Sequence, residues 1–151
     1  MTEFDAATLN KLDPQQFARL IKDTPDSRIR EVMAGDGRKT ILDGIFSRLP
    51  ALFRADRAGD TEAVIHWVLT GRPDGGADVY EVAISGGRCV SSSTPTTDSP
   101  RLTLTMAPTD FLKVITRAGN PMMMFMTGKV KAKGDLGLAA HAASLFDMPK
   151  A

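Results

Sequence analysis

The sequence has one cysteine, Cys89, which excludes an intrachain disulfide framework. It has two histidines, His66 and His141, and neither sits in a metal-ligand spacing. It has no charge excess: 19 Lys and Arg against 18 Asp and Glu leave a formal charge of +1. A nucleic-acid binder carries a basic excess, so that class is excluded as a partner. The densest apolar run extends only from Met122 to Met126, far short of the roughly 20 residues of a membrane span. Phosphate and dinucleotide loops are missing as well. The one Gly-Lys pair, Gly128-Lys129, has Met123 where the earlier glycine should stand, and Gly35-Asp36-Gly37 lacks a third glycine. No Gly-x-Ser-x-Gly occurs.

What is present is an ordinary globular composition, 42% hydrophobic and 25% charged, over 151 residues. That length suits one compact domain. The first residues, Met1-Thr2-Glu3-Phe4-Asp5, offer no basic and apolar leader, and the last, Asp147 to Ala151, no lipidation signal. Together with a free thiol this predicts a cytoplasmic protein. Of eight methionines, Met106, Met122, Met123, Met124, Met126 and Met148 lie in the last third of the chain.

The first third reads as helices. Asp13 can cap a helix that begins at Pro14, and Thr24-Pro25 repeats the start signal before a segment stopped at Gly35. Ile41, Leu42, Ile45, Phe46, Leu49, Leu52 and Phe53 then recur at helical steps, with Arg38, Lys39, Asp43, Arg48 and Arg54 on other faces. Pro50 should kink or divide this stretch. The middle alternates as strands: Ala63, Ile65, Trp67 and Leu69 share one face, then Tyr80, Val82 and Ile84. Gly86-Gly87 permits a tight hairpin into Arg88 to Ser93, and Leu102, Leu104 and Met106 form a further dry face after a polar loop. Pro108 opens a helix carrying Phe111, Leu112 and Ile115, and Pro121 a second, short one stopped by Gly128. Lys129 to Lys133 alternates as an edge strand, its lysines outward. Asp135 can cap a last helix reaching Phe146 that has almost no polar face, so it must be covered on several sides or line something apolar.

His66, His141 and Cys89 are read first as ordinary structural residues, and the lysine triplet as a solvated strand face, with contact to an anionic surface as the sharper alternative. The methionines admit two readings of equal standing. They are plain core filling, or they form an adaptable wall around a variable apolar ligand. Met122, Met123 and Met124 cannot all point one way on a helix.

The order of elements, with Asp110-Phe111-Leu112, the run Phe125-Met126-Thr127-Gly128-Lys129-Val130-Lys131-Ala132-Lys133-Gly134-Asp135 and the closing Leu145-Phe146, resembles the sterol carrier protein 2 family. The likeness is to a bacterial single-domain member and covers roughly Lys39 to Phe146. It implies an α+β fold: a five-stranded, mostly antiparallel sheet covered on one face by helices and enclosing an apolar cavity. It implies a domain over 39–148; residues 1–38 lie outside the likeness and are read as a helical extension packed on that domain, a lid or an oligomer contact. Carried onto this chain, the cavity wall comprises Trp67, Met106, Phe111, Ile115, Met122, Phe125, Met126, Leu138, Ala142, Leu145 and Phe146. Thr127 stands where several members have glutamine, which weakens any polar ligand contact there.

The function so implied is non-enzymatic binding, with or without transfer, of a lipid or other hydrophobic small molecule such as a sterol or fatty acyl chain, with no cofactor. A transient membrane-surface contact and a homodimer are left open. The alternatives are an enzyme or biosynthetic accessory protein acting on an apolar substrate in the same cavity, and an interaction module. The enzymatic reading requires His66, Asp110, Thr127 or His141 to converge there. An empty apolar cavity costs about 24 cal/mol per Å³, so a lipid-sized void is expected to be filled by ligand or by collapsing side chains.

Overall fold

The computed structural model describes residues 6–9, 11–116 and 121–146. Five helices come first: α1 (Ala6–Leu9), α2 (Pro14–Asp23), α3 (Asp26–Met33), α4 (Gly37–Leu52) and α5 (Ala55–Ala58). Strands β1 (Ala63–Leu69), β2 (Asp78–Ser85), β3 (Arg88–Ser92) and β4 (Leu102–Met106) follow, then α6 (Pro108–Ile115) and α7 (Pro121–Met126). Strand β5 (Val130–Gly134), α8 (Leu136–His141) and a 3₁₀ turn, Ala142–Leu145, complete the order.

The sheet runs β3-β2-β1-β4-β5. Three neighbouring pairs are antiparallel, and the central pair, β1 with β4, is parallel. This is the five-stranded, mostly antiparallel α+β arrangement expected. Register puts Ile65, Trp67 and Leu69 beside Val82, Tyr80 and Asp78 on one side and Leu102, Leu104 and Met106 on the other. The apolar members of that set are buried beneath the helices, as side-chain alternation requires.

The local signals account for much of this. The Asp13 carboxylate accepts from Gln16 N at 2.7 Å while the Gln16 side chain accepts from Asp13 N at 3.1 Å, a full capping box. Gly86 and Gly87, with φ of 57° and 74°, make the hairpin turn expected there. Pro50, expected to kink or divide its helix, instead sits in the last full turn of α4. Its missing N–H leaves the carbonyl of Phe46, four residues back, without the usual donor. Ser91 Oγ on β3 donates to that oxygen at 2.6 Å, so the cost of the proline is offset by a bond that also ties α4 to the sheet.

Two other elements differ from expectation. Arg38, placed on a polar face of α4 by the sequence pattern, is buried: its guanidinium pairs with Asp78 at 2.8 Å and donates to Leu69 O at 2.7 Å. The last helix does not run unbroken to Phe146. It tightens into the 3₁₀ turn, after which Phe146 bridges to Phe53 and Arg54 N donates to Leu145 O at 2.7 Å. Tightening turns both Leu145 and Phe146 inward, and both are buried.

Candidate functional site

The interior beneath the sheet is built around four rings. Phe46 of α4 stacks on Tyr80 of β2 at 4.2 Å between centroids and on Phe111 of α6 at 5.1 Å. Trp67 of β1 meets Phe46 and Phe111 edge-on, at 6.2 and 5.7 Å. Tyr80 OH donates to Asp43 at 2.6 Å, and burial together with this carboxylate pushes the phenol's pKa well up. The indole Nε1 of Trp67 is buried with no hydrogen-bond partner among the described residues. An unsatisfied buried donor costs about 1–3 kcal/mol.

Next to this cluster lies an apolar groove of about 220 Å³, lined by Leu12, Pro14, Phe17, Ile45, Arg48, Leu49, Ala51, Leu52, Ile115 and Thr116. Leu49 follows Phe46 by three residues on α4, and Ile115 follows Phe111 by four on α6. Such pairs share a helix face. Groove and aromatic cluster therefore lie one helical turn apart along both α4 and α6, which meet in a seam through Phe46 and Phe111. The third wall comes from the N-terminal segment, held by Arg48, which donates to Leu12 O at 3.1 Å. Binding sites for drug-sized ligands enclose roughly 300–1,000 Å³, so a long ligand requires this seam to open further.

The sequence-selected residues fall into three groups. Trp67, Met106, Phe111, Leu138, Ala142, Leu145 and Phe146 are buried under the sheet or in the closing turn. Ile115 is buried and is the member of the set that lines the groove. Phe125 and Met126 of α7 are 40% and 75% exposed. Met122 lies on α7, its side chain outside the described set, and Met148 lies outside the described residues. Met124 points inward and Met123 outward, so the triplet is split as helix geometry demands. The groove residues Leu12, Pro14, Phe17, Arg48 and Ala51 escaped the sequence reading because the groove arises from the packing of three separate helical segments.

No hydrogen bond or ion pair joins any two of His66, Asp110, Thr127 and His141. His66 faces the outer side of the sheet, where its Nε2 lies 3.0 Å from Glu81 Oε1. Glu81 also accepts from Thr96 N at 2.9 Å and Thr96 Oγ1 at 2.7 Å. Burial opposes ionisation of Glu81, but the bonds from Thr96 and His66 outweigh it and hold the carboxyl below its ordinary value. Thr127 and His141 are exposed; Thr127 Oγ1 donates to Met123 O at 2.9 Å. Among the described residues no group of three or more His, Cys, Asp or Glu could hold a metal ion, and no helix is long and apolar enough to cross a membrane.

Known proteins resemble this arrangement. The chain is 33% identical over 98 residues to hydroxysteroid dehydrogenase-like protein 2 of Xenopus tropicalis, which covers 65% of this chain and 23% of that protein. It thus spans about a quarter of that relative. Among solved structures, the sec-alkylsulfatase Pisa1 from Pseudomonas sp. superposes with a TM-score of 0.62 at 18% identity, over 74% of this chain and 17% of that one. Palmitated sterol carrier protein 2 like 2 from Aedes aegypti superposes with a TM-score of 0.55 at 19% identity, over 75% of this chain and 96% of that one. The two solved structures share the fold. The profile of the SCP-2 sterol transfer family matches residues 46–147, from the aromatic anchor of α4 to just past the closing turn, and the chain belongs to that family.

Proposed function

We propose that this chain binds a lipid or other hydrophobic small molecule non-enzymatically, in the seam between α4, α6 and the sheet, and passes it between surfaces. The observation that carries the reading is an apolar groove whose Leu49 and Ile115 lie one helical turn from Phe46 and Phe111 of the aromatic cluster, in a chain of this family. In this reading the ligand enters between Leu49 and Ile115. The interior residues Trp67, Met106, Phe111, Leu138, Ala142, Leu145 and Phe146 repack around it, and the α7 segment that carries Met122, Phe125 and Met126 forms the adjustable wall beside them. Helices α2 and α3, within the extension of residues 1–38, act as a lid on the domain of 39–148. Each methylene buried adds roughly 0.8 kcal/mol, so an acyl chain or sterol needs few polar contacts. The Trp67 indole N–H is the interior donor available to a ligand oxygen.

The test is titration of delipidated protein with a fluorescent fatty acid and a fluorescent sterol, alongside native mass spectrometry and a vesicle-to-vesicle transfer assay. Ala51 is exposed at the groove rim, so Ala51→Phe should fill the groove and weaken uptake by about tenfold or more, with little change in thermal stability. Absence of binding by both fluorescence and mass spectrometry would overturn the proposal.

A further inference from the structure

Helix α7 buries Met124 against the core and leaves Met123, Phe125 and Met126 at 57%, 40% and 75% exposure. Large apolar side chains so close together on a six-residue helix are expensive to leave in water. The helix ends in a tight motif: Gly128 has φ of 79°, Gly128 N donates to Phe125 O at 3.2 Å and Lys129 N to Met124 O at 2.9 Å. This turns the chain directly into β5 and sets Lys129 beside the apolar tip. Lys131 and Lys133 follow at the strand period, so the three ammonium groups run along about 14 Å of one edge. All three lysines are exposed, and none has an ion-pair partner among the described residues. From Pro121 to Gly134 the sequence contains no Asp or Glu, and the next carboxylate, Asp135, is held by Arg101 at 2.8 Å.

We infer that the α7–β5 corner is a docking face for an anionic phospholipid bilayer. Phe125 and Met126, with Met123, enter the boundary between headgroups and acyl chains, while Lys129, Lys131 and Lys133 lie over lipid phosphates. Apolar side chains beside uncompensated lysines are the pattern of interfacial attachment. A second copy adding its strand to β5 is the other occupant an edge offers, and a row of lysines opposes that pairing. The inference does not depend on which molecule fills the interior.

The test is sedimentation of the full chain with phosphatidylcholine vesicles, with and without roughly 30% phosphatidylserine, at about 0.1 M salt. Binding is expected to the anionic vesicles and to fall as salt rises. Each lysine near such a surface contributes about fivefold to partition. The triple variant Lys129→Gln, Lys131→Gln, Lys133→Gln should therefore bind on the order of 100-fold more weakly, with its circular dichroism and its fatty-acid affinity unchanged. Phe125→Trp should gain a blue-shifted emission on vesicles and be quenched by brominated acyl chains beyond the parent, whose Trp67 is buried. Equal sedimentation of parent and triple variant overturns the inference. So does an unquenched Phe125→Trp on bound vesicles, or a dimer by light scattering that Phe125→Ser dissociates.

Discussion

Replacing Phe46 by alanine tests the seam most directly. The side chain is buried, stacked between Tyr80 and Phe111, with Trp67 edge-on. Truncating a buried phenylalanine costs about 3–5 kcal/mol from lost transfer energy and the cavity left behind. The stacked partners contribute roughly 0.5–1.5 kcal/mol of their own, which favours the upper part of that range. Stability for domains of this kind is about 5–15 kcal/mol, so the variant should still fold. With a urea dependence near 2 kcal/mol per molar, the midpoint should fall by about 1.5–2.5 M. The single tryptophan, Trp67, touches Phe46 and reports the transition by fluorescence. If the seam accepts apolar ligands, the opened variant should regain more stability than the parent from a saturating fatty acid. A ligand at a hundred times its dissociation constant stabilises by about 2.7 kcal/mol. A loss below about 1 kcal/mol, far under the range for a packed phenylalanine, would show that the rings are not tightly packed. A ligand that stabilises neither protein would show that the seam is not the site.

Other outcomes follow from single features. The Glu81 carboxyl is held below its ordinary value of 4.5 by Thr96 and His66 against the opposing effect of burial. Its contribution to stability is thus full above that ordinary value and is lost as pH falls through the lower folded one. Glu81→Gln should lose roughly 1–2 kcal/mol at neutral pH and unfold with a flatter pH dependence in acid, measured by urea melts across pH. Gly134 has φ of 111°, and a Cβ there would run into the carbonyl oxygen of Arg101. Gly134→Ala should cost at least about 2 kcal/mol and lower Tm by about 5 °C or more in a thermal melt. Burial pushes the Cys89 thiol up to about 11. Its alkylation at pH 8 should be on the order of 100-fold slower than that of an open cysteine and should recover in denaturant, as followed by mass spectrometry.

The features that could be read from the sequence were those fixed by neighbours along the chain. The caps at Asp13 and Asp135, the Gly86-Gly87 hairpin and the inward sets Ile65-Trp67-Leu69 and Leu102-Leu104-Met106 all rest on local spacing. What escaped depends on register between distant segments. Arg38 looks solvated on its helix, and only the approach of Asp78 and Leu69 O makes it a buried anchor. His66 and Glu81 become partners because β1 and β2 pair in one register. The parallel contact of β1 with β4 has no local signature at all. For the same reason, the interior residues proposed for binding could be nominated from the family resemblance, while the groove beside them, Ile115 apart, could not.

The bridge between Phe53 and Phe146 has a consequence for how such a domain can be deployed. An antiparallel bridge brings two backbones to within about 5.5 Å, and here the rings also meet, at 5.9 Å between centroids. The sheet and its last helices are thus a closed circuit whose entry and exit lie side by side. A pull transmitted through Phe146 is therefore met at this bridge, beside the end of α4, before it reaches the sheet.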